Sequence, residues 1–156
     1  LKAAGFDVPQ PVARQAMFNG PDGIRIELVE DASLAGPLAL HHLHFYTPAP
    51  AEIQAWYARI FGAAPGKRGS FDAADLPGVN LTFSRSEGAA APTKGRALDH
   101  IGFEVKNLEA FLQKLAAQGM KIDMPYRKLA NFGISIAFFT DPWGTYIELT
   151  EDLDKY

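Results

Sequence analysis

An internal repeat constrains the fold of this chain more than any other feature of its sequence. Residues 16–30, AMFNGPDGIRIELVE, match residues 137–151, AFFTDPWGTYIELTE, at a constant offset of 121, and the Ile-Glu-Leu triplet is identical. Residues 40–47, LHHLHFYT, match residues 98–105, LDHIGFEV, at an offset of 58. Self-similarity of this kind indicates a fold that is built by repeating one supersecondary unit.

A helix with one apolar face is predicted after each copy of the second repeat. In the first, apolar residues follow the i, i+3, i+4, i+7, i+8 spacing of a helix packed on a core: Ile53, Trp56, Tyr57, Ile60 and Phe61. In the second they are Leu108, Phe111, Leu112 and Leu115. Pro50 suits the start of the first helix and Asn107 the N-cap of the second. Gly62 and Gly119 are predicted to end the two helices.

Three short strands are predicted after each helix, separated by glycine and proline. They cover roughly residues 66–71, 72–76 and 79–85 in the first unit, and 122–128, 133–140 and 144–150 in the second. Each unit therefore consists of a strand, a helix and three strands. The sequence predicts an α+β fold of paired βαβββ modules, whose sheets curl around a shared cavity.

The domain boundaries follow from the same repeat. Residues 37–96 are expected to form the first module and its linker, and residues 97–156 the second module, the two making one domain. Residues 1–36 are expected to be the C-terminal part of a truncated preceding module plus a linker, because they repeat only the last hairpin of a module. Apolar side chains in this segment should pair with the rest of the chain or with a neighbouring copy, which favours a homodimer.

Composition excludes several classes of function. A net charge of −3 and a pI near 5.8 argue against a nucleic-acid partner. No apolar run approaches the roughly 18 residues that would cross a membrane, so no membrane partner is expected. The lack of cysteine removes thiolate catalysis and cysteine-bound zinc, and it fits both a cytoplasmic protein, the default, and an exported one. Any metal ion must be bound by His, Asp, Glu or amide oxygens.

Three residues at repeated positions are predicted to bind a divalent metal ion. His42 and His100 occupy equivalent positions of the two units, and Glu148 lies on a neighbouring strand. A two-fold pairing of the units would bring them within reach of one ion, with bonds of about 2.0–2.3 Å. Two imidazoles and one carboxylate leave coordination positions open for a substrate or water. Because iron, manganese, zinc and nickel accept the same donors, the identity of the metal stays open.

His44 and Tyr146 share strand faces with these ligands, since each lies two residues from one of them. Both are candidate catalytic residues for proton transfer or substrate orientation, and both could equally line the cavity. Two residues span about 7 Å along a strand. That distance places His44 near a bound substrate but too far to bind the same ion as His42.

The order and spacing of LHHLHFYT, AWYARIFGA, LDHIGFEV and TDPWGTYIEL resemble the vicinal oxygen chelate superfamily. This group includes glyoxalase I, methylmalonyl-CoA epimerase, the fosfomycin- and bleomycin-resistance proteins and the type I extradiol dioxygenases. The resemblance covers residues 38–151 as two modules and residues 1–31 as the end of another. Family members hold a divalent metal with a histidine on the first strand of each module and an acid on a last strand. The resemblance therefore implies the ligands His42, His100 and Glu148.

The chain departs from two patterns within this superfamily. Glyoxalase I has a fourth, acidic ligand on the last strand of its first module; the nearest match here is Asn80, which we expect to line the cavity. Extradiol dioxygenases have a tyrosine where this chain has Phe138, and a further histidine, whereas no histidine follows His100. We therefore expect the cleavage of catechol rings to be weak or absent.

The resemblance implies a divalent-metal-dependent enzyme, of the lyase, isomerase or dioxygenase class, that acts on a small substrate chelated through vicinal oxygens. The alternative is a metal-free protein of the bleomycin-resistance type, which binds a drug or metabolite. A binding protein has no need of the predicted ligand triad, so the triad favours the enzyme. The fold alone does not select the reaction, because one fold supports many chemistries.

Overall fold

The computed structural model describes residues 1–9 and 12–155, and these divide into two compact units. The smaller unit comprises Leu1–Leu40 and Gly95–Leu98, and the larger comprises His41–Lys94 and Asp99–Tyr156. Both predicted modules lie in the larger unit. No helix within the described residues is long and apolar enough to cross a membrane.

The smaller unit contains an antiparallel hairpin of β1 (Gln15–Asn19) and β2 (Arg25–Val29). Phe6 packs edge-on against Phe18 of β1, with ring centroids 5.1 Å apart. In this hairpin Met17 lies opposite Glu27, and in the last hairpin of the chain Phe138 lies opposite Glu148. Both pairs are related by the offset of 121, so the sequence repeat is a repeat of strand register.

The larger unit confirms the α+β fold of two βαβββ modules. The elements of the first are β3 (His42–Thr47), α1 (Pro50–Phe61), β4 (Ala64–Arg68), β5 (Phe71–Leu76) and β6 (Val79–Arg85). Those of the second are β7 (Ile101–Glu104), α2 (Leu108–Ala117), β8 (Ile122–Leu129), β9 (Ile134–Thr140) and β10 (Tyr146–Glu151). The strand orders are β3-β6-β5-β4 and β7-β10-β9-β8, and in each sheet the first strand pairs in parallel with the last.

Most local predictions agree with these elements. α1 begins at Pro50 and ends at Gly62, which has a φ of 73°, and the Asn107 side chain caps α2 by accepting from the Ala110 N–H at 2.9 Å. The strand predicted over 66–71 is wrong at its end. Arg68 instead pairs with Phe71 across a two-residue turn, and Gly69 in this turn has a φ of 59°, which favours glycine.

An apolar core joins the two modules, and the expected cavity between their sheets stays a prediction. Trp56 of α1 contacts Phe139 of β9, with ring centroids 6.3 Å apart, and Phe61 contacts Phe103 of β7 at 4.6 Å. Buried side chains of both sheets and both helices belong to the same cluster. The two modules therefore depend on one another for the burial of their apolar surface.

Candidate functional site

Each sheet buries one face in this core and turns its other face away from it. On β3, Leu43 packs against the core, so the alternation of side chains places His42 and His44 on the opposite face. On β10, Ile147 lies in the core and Glu148 points the other way. All the predicted ligands on these strands therefore lie on the outer faces of the two sheets.

The outer face of the second module brings two predicted ligands together. The Nε2 atom of His100 lies 3.2 Å from Oε2 of Glu148, and its Nδ1 atom lies 2.8 Å from Oδ1 of Asp99. The parallel pairing of β7 with β10 produces this arrangement, because it sets Gly102, two residues after His100, beside Glu148. The imidazole thus lies between two carboxylates.

This geometry fits a divalent metal ion. Two adjacent ligands with bonds of about 2.0–2.2 Å have donor atoms separated by about 3 Å, which matches the distance between His100 and Glu148. An Nδ1–H donated to Asp99 leaves the lone pair of Nε2 directed toward Glu148. A carboxylate behind a histidine is the partner that metal-binding imidazoles normally have, and it was not predicted from the sequence.

Tyr146 lies beside this pair. Its ring stacks on Phe138 with centroids 5.0 Å apart, and it meets the His100 ring edge-on at 6.4 Å. The Lys94 ammonium lies 4.2 Å from the centroid of the same ring, and the Tyr146 N–H donates to Thr93 Oγ1. Thr93 and Lys94, in the linker between the modules, therefore cover one side of the site formed by His100 and Glu148.

A buried polar contact positions the turn that leads into β10. The Tyr57 hydroxyl donates to Asp141 Oδ2 at 3.0 Å, and Asp141 Oδ1 accepts from the N–H groups of Trp143 and Thr145. Burial raises the pKa of Asp141, although these hydrogen bonds oppose the shift. Burial, and then the charge of Asp141, raise the pKa of Tyr57 well above its usual value. A residue of α1 thus anchors the strand that carries Glu148.

The outer face of the first module carries imidazoles without such carboxylates on its own strands. A ring nitrogen of His42 lies within 4.8 Å of one of His44, and His41 Nδ1 lies 3.1 Å from His42 Nδ1. His44 Nε2 is 2.7 Å from Ser84 Oγ. The His42 and His44 rings are closer than the strand spacing suggested, with centroids 5.8 Å apart. The reason given for excluding His44 as a ligand of the same ion therefore does not hold.

Within the described part of one chain, no group joins His42 to His100 and Glu148 within the reach of one ion. The core accounts for this separation, because both sheets turn their ligand-bearing faces away from it. The meeting of the three side chains therefore stays a prediction, and it would require a second copy of the chain.

Strand pairing changes which residue of the first module corresponds to Glu148. His44 and Gly102 are equivalent in the repeat; His44 pairs with Thr82, and Gly102 pairs with Glu148. The fully buried Thr82, rather than Asn80, therefore holds the acid position, and its hydroxyl donates to Asn80 Oδ1 at 2.8 Å. No sequence signal identified Thr82, because the paired strands are separated by different numbers of residues in the two modules.

Comparison with known proteins follows this two-module division. The profile of the Glyoxalase/Bleomycin resistance protein/Dioxygenase superfamily matches residues 39–149. The chain belongs to this superfamily. Members of this glyoxalase superfamily commonly bind divalent metals and act on small molecules. No curated protein sequence matches the chain.

Several solved structures share the fold of this superfamily member. Oxidase ChaP-H2 is 21% identical with a TM-score of 0.62, and the alignment covers 74% of this chain and 94% of the other. Lactoylglutathione lyase from Agrobacterium tumefaciens is 16% identical with a TM-score of 0.55 and the same coverage. TioX from Micromonospora sp. ML1 is 17% identical with a TM-score of 0.59, covering 74% and 99%. These similarities show the fold, and the chemistry must be argued from the site.

Proposed function

We propose that this protein is a divalent-metal-dependent enzyme of the glyoxalase/dioxygenase type, acting on a small substrate chelated through two vicinal oxygens. The observation that carries this proposal is the spacing of His100 and Glu148, 3.2 Å between donor atoms, with Asp99 behind the imidazole at 2.8 Å. Residues that only decorate a surface need no such carboxylate–imidazole–carboxylate alignment.

The third ligand in this proposal is His42 from a second copy of the chain. His42 lies on an outer sheet face, as do His100 and Glu148, so another copy can approach all three. In a homodimer with two-fold symmetry, His42 of each copy would meet the pair on the other copy, giving two equivalent sites. This arrangement keeps the three ligands implied by the repeat, although the core separates His42 from the other two within one chain.

The residues around the site have distinct roles in this proposal. A bound ion of this kind acts as a Lewis acid that stabilises negative charge on substrate oxygens. His44 can hold or accept a proton at Nε2, where Ser84 Oγ is its partner. Tyr146 orients the substrate or donates a proton, whereas Phe138, stacked on it, only excludes water. Because Phe138 has no proton to give, catechol ring cleavage is expected to be weak.

The second candidate is a metal-free protein that binds a drug or metabolite. The observation in its favour is a pair of exposed aromatic side chains, Tyr46 and Phe71, beside a cavity in the first module. Exposed aromatic groups at a concave surface are typical of small-molecule sites, with or without a metal. The metal content of the protein separates the two candidates.

The decisive experiment mixes two variants that each lack one ligand. His42→Ala and His100→Ala should each lose bound metal after dialysis against zinc or manganese, measured by elemental analysis. When the two are unfolded together, refolded and reloaded, about a quarter of the sites should recover, because half of the randomly formed dimers hold one intact site. Asp75→Asn changes a first-module side chain that is bonded to Asn80 and to none of the predicted ligands; it serves as the control and should keep its metal.

Three outcomes would overturn this proposal. Wild-type protein that binds no divalent metal would favour the metal-free candidate. Retention of metal by either ligand variant would show that the ligand set is wrong. Failure of the mixed sample to recover metal, when both proteins refold as dimers by sedimentation, would exclude a site shared between copies.

A further inference from the structure

A cavity of about 460 Å³ opens at the end of the first-module sheet. It lies between the start of α1 and the turn that joins β4 to β5, beside the last residues of β6. Small-molecule sites in proteins usually have volumes of about 300–1,000 Å³. The cavity is therefore large enough for a compact organic molecule, and none of the predicted metal ligands lines it.

Two aromatic rings form its walls. Tyr46 and Phe71 are 45% and 42% exposed, unusual values for large aromatic side chains next to a concave surface. Both rings are positioned by His44: Tyr46 stacks on the imidazole with centroids 5.2 Å apart, and Phe71 meets it edge-on at 5.4 Å. The two rings thus offer fixed apolar faces to a flat molecule.

One positive charge remains uncompensated at the cavity. Asp72 is paired with the Lys67 ammonium at 2.6 Å, so this carboxylate is already neutralised. Arg85 donates to the Pro48 carbonyl oxygen at 2.8 Å and has no ion pair with any residue in the described part of the chain. A guanidinium group in this situation pairs well with a planar carboxylate, because the two can form parallel hydrogen bonds.

The floor of the cavity is polar but already organised. Ser84 is 6% exposed, and its Oγ atom forms the 2.7 Å hydrogen bond with His44 Nε2. A hydroxyl with a fixed partner can form one further hydrogen bond without a large reorganisation. Because Arg85 supplies a single positive charge at the cavity, a ligand with one negative charge matches it better than a doubly charged phosphate.

We propose that this cavity binds an aromatic carboxylate, with its ring against Tyr46 and Phe71 and its carboxylate at Arg85. The inference goes beyond the proposed function, because none of the predicted metal ligands lines the cavity and its ligand is not the molecule that the metal would chelate. Binding at the cavity requires no metal, so it is measured on the full chain after treatment with a chelator.

The test is a calorimetric titration of chelator-treated protein with sodium benzoate, cyclohexanecarboxylate and benzyl alcohol. Cyclohexanecarboxylate keeps the charge without the flat ring, and benzyl alcohol keeps the ring without the charge. Benzoate should bind at least about fivefold more tightly than either, given the usual strength of aromatic and charge-assisted contacts. Arg85→Gln should weaken benzoate binding about tenfold and Phe71→Leu about threefold. Arg127→Gln removes an exposed guanidinium from the second module and should have no effect.

The inference is overturned by an absence of saturable benzoate binding, by equal affinity for cyclohexanecarboxylate, or by wild-type affinity in Arg85→Gln. Circular dichroism checks that each variant is folded, and both substituted side chains are exposed, so the core is not altered. Benzoate binding by a wild-type protein that binds no divalent metal would reject the proposed enzyme and keep this site. Recovery of metal without benzoate binding would reject this site alone.

Discussion

The two βαβββ modules share a strand order and a register, but their outer faces differ in chemistry. In the second module, His100 lies between the carboxylates of Asp99 and Glu148. In the first, the position of Glu148 is held by Thr82, and His44 is bonded to the hydroxyl of Ser84. One strand position therefore gives the second module a histidine–carboxylate pair between neighbouring strands, where the first module has a histidine beside a threonine.

The two helices differ in a related way. α1 buries five residues, and its rings contact both modules, whereas α2 buries two. α2 in turn has the side-chain N-cap, Asn107, that α1 lacks at Ala49. Packing therefore contributes more to the stability of the first helix, and capping more to that of the second.

The largest expected effect tests whether the modules share one core. Trp56 is 4% exposed and contacts both Phe139 and Trp143 of the second module. Trp56→Ala should lower the free energy of unfolding by about 3–5 kcal/mol. In urea, probes of both modules should still report a single, earlier transition. A second module that unfolds separately and at the wild-type urea concentration would show that the cores are independent.

The next prediction tests the difference between the two outer faces. Asp99→Asn should weaken metal binding by about 10–100-fold, because the Asn side chain no longer holds the His100 imidazole as a carboxylate does. Asp75→Asn is the matched change in the first module, where Asp75 accepts from Asn80. It should leave the affinity unchanged. Competition with a fluorescent chelator measures the metal affinity of both variants. Equal losses of affinity would show that the two outer faces do not differ in metal binding.

A smaller effect is expected at the contact between α1 and the turn before β10. Tyr57→Phe removes the hydroxyl that donates to Asp141 and should cost about 1–3 kcal/mol near pH 7. Burial raises the pKa of Asp141, so its contribution to stability is greatest below the pKa of the unfolded chain and is lost as the pH rises through the folded value. The Tyr57 hydroxyl forms a stronger hydrogen bond with the ionised carboxylate of Asp141 than with the protonated one. The loss of unfolding free energy in Tyr57→Phe should therefore be larger at pH 7 than at pH 4. Urea unfolding at the two pH values measures it, and a larger cost at pH 4 would contradict this account.

The smallest effect concerns the helix caps. Asn107→Ala should destabilise the protein by about 1 kcal/mol, because the N–H of Ala110 loses its acceptor. Ala49→Ser at the start of α1 should stabilise it by a few tenths of a kcal/mol to about 1 kcal/mol. Thermal unfolding of the two variants beside the wild type measures the difference. A loss at both positions would show that α1 does not accept a side-chain cap.

The sequence predicted the parts of the fold that depend on local pattern. The periodicity from Ile53 to Phe61, the cap at Asn107 and the repeated hairpins all correspond to observed elements. The turn at Gly69 was misplaced, because glycine and serine between two strand-forming runs do not reveal which residue has a positive φ. The core required the structure, since a pattern of alternating residues shows which face is apolar but not which faces meet.

Only some residues of the candidate site could be predicted from the sequence. His100 and Glu148 were found because the repeat marks their positions, and parallel pairing brings them together. Asp99 was missed because it precedes the strand, where alternation gives no direction for a side chain. Tyr46 lies in the repeat, but Phe71 and Arg85 come from a turn and a strand end outside it, so no sequence period indicated that the three meet.

The threonine at position 82 has a consequence for the history of the chain. Duplication of an ancestral module leaves two copies of one backbone, and only one of them must keep the ancestral chemistry. Because Thr82 stands where the other copy has Glu148, residues around Tyr46 and Phe71 can change without altering the pair of His100 and Glu148. Related proteins that handle different molecules should therefore have diverged most around Tyr46 and Phe71, and least around His100.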